Sequence, residues 1–189
     1  GQVMGSRAPV KSGFYRSEDR QTFTHVGFGH IRFFTVVPDL LDPAGLYMTM
    51  LDGVAHSKDR GKTWRLLNDW RSTEAKGIAI DPNAPQHIYV GLPDGIIVSR
   101  DRGETWTRMM EGLPPVRRYT HAMAVDRTTA GRVVAGTETG IYLTEDGAKT
   151  WRLVQPTEKV TYDIRQSPHD PKLFLAAYSI FIGRAVLAQ

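Results

Sequence analysis

The 189-residue chain carries 24 Lys and Arg against 20 Asp and Glu, a formal net charge of +4, with 41% hydrophobic and 23% charged residues. These proportions belong to a folded globular chain and exclude disordered, collagen-like and coiled-coil classes. The lack of cysteine removes disulfides, thiolate metal sites, iron–sulfur ligation and a cysteine nucleophile together, and scattered basic residues with no block of five like charges argue against nucleic acid as the partner.

In chain order, a strand is expected at residues 2–5, followed by the segment SEDRQTF, which ends at Phe23. The next stretch, FFTVVPDLLDPAGLYMTMLDGVAH, has an apolar run at 34–37, an Asp/Pro-rich turn, a second run at 46–50, a turn at Gly53 and a short third strand ending at Ser57. SKDRGKTW then closes on Trp64, which opens a fourth strand. The plan returns in KGIAIDPNAPQHIYVGLPDGIIV, with runs at 78–80 and 88–91, before SRDRGETW ends at Trp106. It returns once more in HAMAVDRTTAGRVVAGTETGIYL, with runs at 123–125 and 132–136, before TEDGAKTW ends at Trp151. Strands at 160–165, 173–177 and 180–182 complete the reading, giving 18 in all. The stretch 173–188 is the most apolar, but Ser179, Gly183 and Arg184 interrupt it, so no transmembrane segment is expected.

The Trp-closed boxes lie 42 and 45 residues apart, with the Phe23 copy 41 residues before Trp64. A period of that length with four short strands per unit points to propeller blades, because one such sheet cannot bury both faces until a neighbour stacks on it. Apolar spacing of helical period is not sustained anywhere, and Gly and Pro recur too often for helices. The expectation is an all-β protein, a β-propeller of four-stranded antiparallel blades. It is small, with four to five blades, or incomplete. A single domain covers 1–189, with units at about 1–27, 31–70, 74–112, 119–155 and 159–189. N-terminal strands are candidates to complete the blade that the C-terminus starts.

Within each box the short polar side chains are placed to hydrogen-bond the turn between third and fourth strands, the Gly permits positive φ, and the Trp supplies apolar area for the seam between sheets. These structural positions are Ser17, Asp19 and Phe23; Ser57, Asp59, Gly61, Thr63 and Trp64; Ser99, Asp101, Gly103, Thr105 and Trp106; and Thr144, Asp146, Thr150 and Trp151. In the last copy Ala148 occupies the Gly slot, and Gly147 beside it is expected to take over the left-handed position.

The pattern resembles the Asp-box, or BNR, repeat of sialidase-like propellers, a group that includes sialidases, xyloglucanases, sortilin-type receptors and photosystem assembly factors. The resemblance implies a fold more firmly than a function, since the box lies on the outer rim. Ligands in such propellers bind around the central channel, where a fourth strand leads into the next blade's first. Aligned repeats put Arg32, Arg71, Glu74, Lys76, Arg117, Arg118, Tyr119, His121 and Tyr162 there, with His30, Phe34 and Lys159 at neighbouring positions. Convergent cations and aromatics suit a carboxylate, a phosphate or an acidic protein surface.

No catalytic set is expected. The Arg triad and R-I-P segment of sialidases have no counterpart, His30-Ile31-Arg32-Phe33 standing where the segment would be, and G-x-S-x-G is absent. Gly61-Lys62-Thr63 lacks the remainder of a phosphate loop, and the six histidines show no metal-ligand spacing, so neither metal nor cofactor is expected. The resemblance implies a non-catalytic interaction or scaffold module, an assembly factor or accessory subunit of a photosynthetic or other membrane-associated complex. Its partner would be a protein with an acidic surface, and its location peripheral and extracytoplasmic, periplasmic or secreted. The alternative is a sialidase- or xyloglucanase-like glycoside hydrolase, or a fragment of one, for which Glu74 and Asp163 are the acids near the expected face.

Overall fold

A computed structural model describes residues 12–27, 32–67 and 73–179, in two compact units divided between Arg32 and Phe33. The first unit contains an antiparallel pair, β1 (Phe14–Arg16) and β2 (Thr24–Gly27). In the turn between them, Ser17 Oγ donates to Asp19 at 3.1 Å and the carboxylate accepts the Gln21 and Thr22 N–H groups at 2.9 and 2.7 Å. The Phe23 copy therefore keeps the Asp-centred turn.

The second unit holds three antiparallel four-stranded blades in chain order: β3 (Phe33–Pro38) to β6 (Arg65–Leu66), β7 (Ile78–Ile80) to β10 (Thr107–Arg108), and β11 (Thr120–Val125) to β14 (Arg152–Pro156). A pair, β15 (Val160–Gln166) and β16 (Phe174–Ser179), follows. All 16 strands among the described residues are β-strands of this plan; the two further expected strands, at 2–5 and 180–182, lie outside the described residues.

Burial follows position in the blade. The second strands β4 (Leu46–Met50), β8 (Ile88–Leu92) and β12 (Val133–Thr137) are buried on both faces, whereas β6, β10 and β14 are exposed along their length. A sheet flanked by sheets must be apolar on both sides, so these strands read as continuous rather than alternating apolar runs. One seam core joins Tyr47, Val54 and Leu67 to Ile78, Ile88 and Val90; the next joins Tyr89, Ile96 and Val98 to Val133, Tyr142 and Trp151. Close approach at the inner strands demands glycine: a Cβ on Gly136 would stand 2.6 Å from the Thr161 methyl, and one on Gly91 would collide with the Thr120 carbonyl. The first strands β3, β7, β11 and β15 together line one cavity of about 330 Å³.

The boxes repeat one hydrogen-bond set. Ser57 Oγ donates to Asp59 at 2.8 Å and accepts Gly61 N–H at 2.8 Å, while the carboxylate accepts Thr63 N–H at 2.8 Å and Thr63 Oγ1–H at 2.6 Å. Ser99 with Asp101, and Thr144 with Asp146, make the same bonds within 0.3 Å. The Thr hydroxyl and N–H hold each of the three carboxyls down at about 2. Each turn needs two successive left-handed residues: Arg60 and Gly61, Arg102 and Gly103, Gly147 and Ala148, with φ from 59° to 90°. Gly147 thus does not take over the slot of Ala148. Both residues adopt the left-handed conformation, at a steric cost only for Ala148, because the position two after Asp146 must still present its N–H to Thr144 at 3.0 Å.

The tryptophans stitch successive blades. Trp106 Nε1–H donates to the Leu67 carbonyl at 3.0 Å and Trp151 Nε1–H to that of Met109 at 3.1 Å, in each case the residue three after the preceding box's Trp. Trp64 instead donates to Gly61 of its own box at 3.0 Å. Buried carboxylates at the start of each first turn add a second tie. Asp39 accepts His56 Nε2 at 3.0 Å and reaches Arg102 of the next blade at 2.6 Å; Asp81 accepts Gly131 N–H at 2.8 Å; Asp126 accepts Gln166 Nε2–H at 3.1 Å. Burial pushes the Asp39 carboxyl up, but the Leu41 N–H and Arg102 outweigh it and hold the group below its usual range.

Candidate binding face

The loops that lead from one blade's fourth strand to the next blade's first bring a row of side chains together. Lys76 Nζ lies 3.6 Å from the centroid of the Phe34 ring and 5.7 Å from that of Tyr119. Tyr119 stacks on His121 with centroids 4.1 Å apart, and His121 meets Tyr162 edge-on at 5.5 Å. The row thus runs from β3 through the lead-in to β7, across β11, to β15. Its members come from four different repeats because the equivalent position of each innermost strand faces the same way.

Glu74 joins the row through Tyr119 Oη–H, which donates to its carboxylate at 3.1 Å. Burial first, then this bond and the charge of Glu74, raise the Tyr119 phenol well above its ordinary value, so it stays a neutral donor. Burial, with the nearby Lys76 charge, lowers the His121 imidazole to about 4, and its Nε2 has no hydrogen-bond partner among the described residues. At neutral pH the face therefore presents one ammonium over an aromatic surface, with a neutral imidazole in the middle.

Among the described residues two left-handed non-glycine residues lie outside the boxes, Glu74 at φ 56° in the lead-in to β7 and Arg117 at φ 53° in the lead-in to β11. Backbone strain of about 1–3 kcal/mol per residue persists only where surrounding structure imposes it. The Glu74 N–H donates to the Leu51 carbonyl at 2.6 Å, which fixes the first of these turns.

Of the residues expected at this face, Glu74, Lys76, Tyr119, His121 and Tyr162 converge, with Phe34 beside them. Arg117 is exposed and Arg118 half-buried on the chain directly before Tyr119, and the Arg118 carbonyl accepts the Thr120 hydroxyl at 3.1 Å. Arg32 is exposed in the first unit, while His30 and Arg71 lie outside the described residues. Asp163 is exposed and paired with Arg165 at 2.9 Å. One acid was not anticipated: Glu138, in the turn between β12 and β13 (Gly140–Thr144), is close enough for its charge to act on Tyr119. The alignment of the second-to-third-strand turns held that signal, since those turns end on the same side as the lead-in loops. Among the described residues no group of three His, Asp or Glu side chains is arranged to hold a metal.

No family model matches the chain, and no curated protein sequence does. Solved structures do. An ancestral GH74 enzyme is 18% identical with a TM-score of 0.74, over 89% of this chain and 25% of that one. YCF48 bound to D1 peptide is 19% identical with a TM-score of 0.56, over 73% and 46%. A nidogen/laminin complex is 13% identical with a TM-score of 0.55, over 70% and 51%. The fold is that of a β-propeller. At these identities the likeness speaks for the fold alone, and this chain spans a quarter to about a half of these three chains. The matched set includes both an enzyme and a peptide-binding propeller, so function has to be argued from the face itself.

Proposed function

We propose that this chain is a non-catalytic protein-interaction module built on Asp-box (BNR) repeats, and that it binds an acidic protein surface through Lys76, Arg117 and Arg118 beside the Tyr119–His121–Tyr162 aromatics. The observation that carries the proposal is the row itself: one cation held on aromatic rings, with further cations on the adjoining loop. Tyr and Arg anchors of this type dominate binding energy at protein interfaces. The matches to YCF48 with a bound peptide and to the nidogen/laminin complex support a protein partner. On this reading the chain serves as an accessory or assembly subunit of a larger complex, peripheral to a membrane on its extracytoplasmic side.

The competing reading, a glycoside hydrolase, draws on the second carboxylate beside Tyr119. Glu74 is engaged by the Tyr119 hydroxyl, which leaves Glu138 as the free acid of that pair. The test is titration of an Asp/Glu-rich peptide into wild-type protein and into the Arg117→Glu, Arg118→Glu double variant. A tenfold or greater loss in the variant is expected, with an unchanged far-UV spectrum. Equal affinity would sink the patch. Sugar release from a β-glucan that disappears in Glu74→Gln would assign the face to the hydrolase instead.

A further inference from the structure

Towards the ends of the first strands, away from the aromatic row at their starts, β3, β7, β11 and β15 line the cavity of about 330 Å³. Its walls include Val37, Ile80, Met123, Val125 and Ile164. Its rim is formed by the residues that follow the buried aspartates Asp39, Asp81 and Asp126, namely Leu40, Pro82 and Arg127. These are equivalent positions of the repeat, each two residues past the end of a first strand, so they gather at one mouth. Leu40 is 46% exposed and Leu41 beside it 50%, which makes that mouth apolar on one side.

Arg127 is the charged member of that set, and it is fixed in place. Its Nε–H donates to Gln166 Oε1 at 3.1 Å and its Nη2–H to the Ser167 carbonyl. Gln166 is held in turn: its oxygen also accepts the Arg127 backbone N–H at 2.9 Å, and its amide donates to Asp126 at 3.1 Å and to the Pro171 carbonyl at 2.6 Å. Both acceptors of the guanidinium are neutral, and Nη1 makes no bond among the described residues, so the end-on pair of N–H groups stays available. The neighbouring charges are already engaged. Arg165, also on the rim, meets Asp163 at 2.9 Å, while Asp126 accepts the Thr128 N–H and hydroxyl at 2.7 Å and Arg132 at 3.4 Å. Outside the described residues Asp69 is the sequence's only acid, and it precedes β7, whereas Arg127 follows β11.

An oriented guanidinium bonded only to neutral acceptors, at the mouth of an apolar cavity, is complementary to a ligand with an anionic head and an apolar tail. A carboxylate satisfies the end-on N–H pair with both oxygens, and the chain behind it is removed from water. The volume sets the length: at about 30 Å³ for each water-sized group, the cavity takes about ten, the number of non-hydrogen atoms in octanoate. The geometry points to a binding site for a medium-chain aliphatic carboxylate, with its head on Arg127 and its tail between the first strands. This site is separate from the Lys76–Tyr119 face and does not depend on the function proposed for that face.

The probe is octanoate, with 1-octanol as its uncharged counterpart, titrated into the full chain by calorimetry and followed by methyl NMR. Octanoate is expected to bind saturably and at least tenfold more tightly than octanol, with shifts confined to the methyls of Val37, Ile80, Met123, Val125 and Ile164. Arg127→Met should lower octanoate to the affinity of octanol and leave octanol binding unchanged. If Arg127 only ties the last blade to β15 and β16, the variant weakens both compounds alike, which would overturn the anchor. Should the variant fail to fold by far-UV circular dichroism, the octanoate-to-octanol ratio and the methyl shifts of the wild-type protein decide. No saturable binding, equal affinity for the two compounds, or shifts at Tyr119 and His121 instead would overturn the site. Tighter binding of an acetylated Ala-Val-Leu peptide than of octanoate would give the mouth to a polypeptide C-terminus and overturn the aliphatic ligand.

Discussion

Replacing Trp151 by Ala tests whether the box tryptophans act as stitches between blades. Trp151 is 4% exposed, and its N–H donates to the Met109 carbonyl of the preceding blade at 3.1 Å. A buried aromatic removes about 150–250 Å² from water, which at about 25 cal/mol per Å² corresponds to roughly 4–6 kcal/mol. The lost hydrogen bond adds about 1 kcal/mol. Partial collapse of the site brings the expected cost into the range of about 3–5 kcal/mol seen for such truncations. Trp151→Phe keeps most of the ring area and strands the Met109 carbonyl, for a cost of about 1–3 kcal/mol. Trp64 is half-buried and bonded within its own box, so Trp64→Ala should cost less than half as much as Trp151→Ala. Urea unfolding followed by far-UV circular dichroism measures all three, with the denaturant slope checked for constancy. Equal costs for Trp64→Ala and Trp151→Ala would refute the argument that burial depth at the box tryptophan sets the cost.

Ala148→Gly should be neutral to stabilising by up to about 1 kcal/mol, since relief of a left-handed residue is worth about 1–2 kcal/mol and loss of a buried methyl about 0.8 kcal/mol; a loss above 1 kcal/mol would contradict it. Acid should weaken the fold in two windows. His121 is held neutral, with its pKa lowered to about 4, so its contribution is complete above about 6.5 and declines as pH falls towards 4. His121→Leu should flatten that part of a stability-versus-pH curve, and an unchanged curve would count against the buried-imidazole account. The box aspartates, at about 2 in the folded chain, contribute above about 4 and are lost as pH falls through 2. Combined Asp→Asn changes at 59, 101 and 146 should remove the lower stage, and its persistence would assign acid lability to other groups.

The sequence by itself determined the repeat, the fold class and the strand plan. The second and third strands stand within a residue or two of their expected positions, because apolar runs between Gly and Asp/Pro turns leave the backbone few alternatives. The box side-chain bonds were equally legible: those of the Ser or Thr, the Asp and the following Thr reach no further than four residues, so local sequence encodes them. What crosses from one repeat to another was not legible. That Asp39 would meet Arg102, 63 residues on, depends on the stacking of blades, which residue identity does not register. Alignment of the repeats picked out Lys76, Tyr119, His121 and Tyr162 as equivalent positions. Only the tertiary structure decided that Lys76 sits on the Phe34 ring and that the His121 imidazole is buried without a partner among the described residues, since those properties arise from burial and from the distance between strands that are remote in the chain.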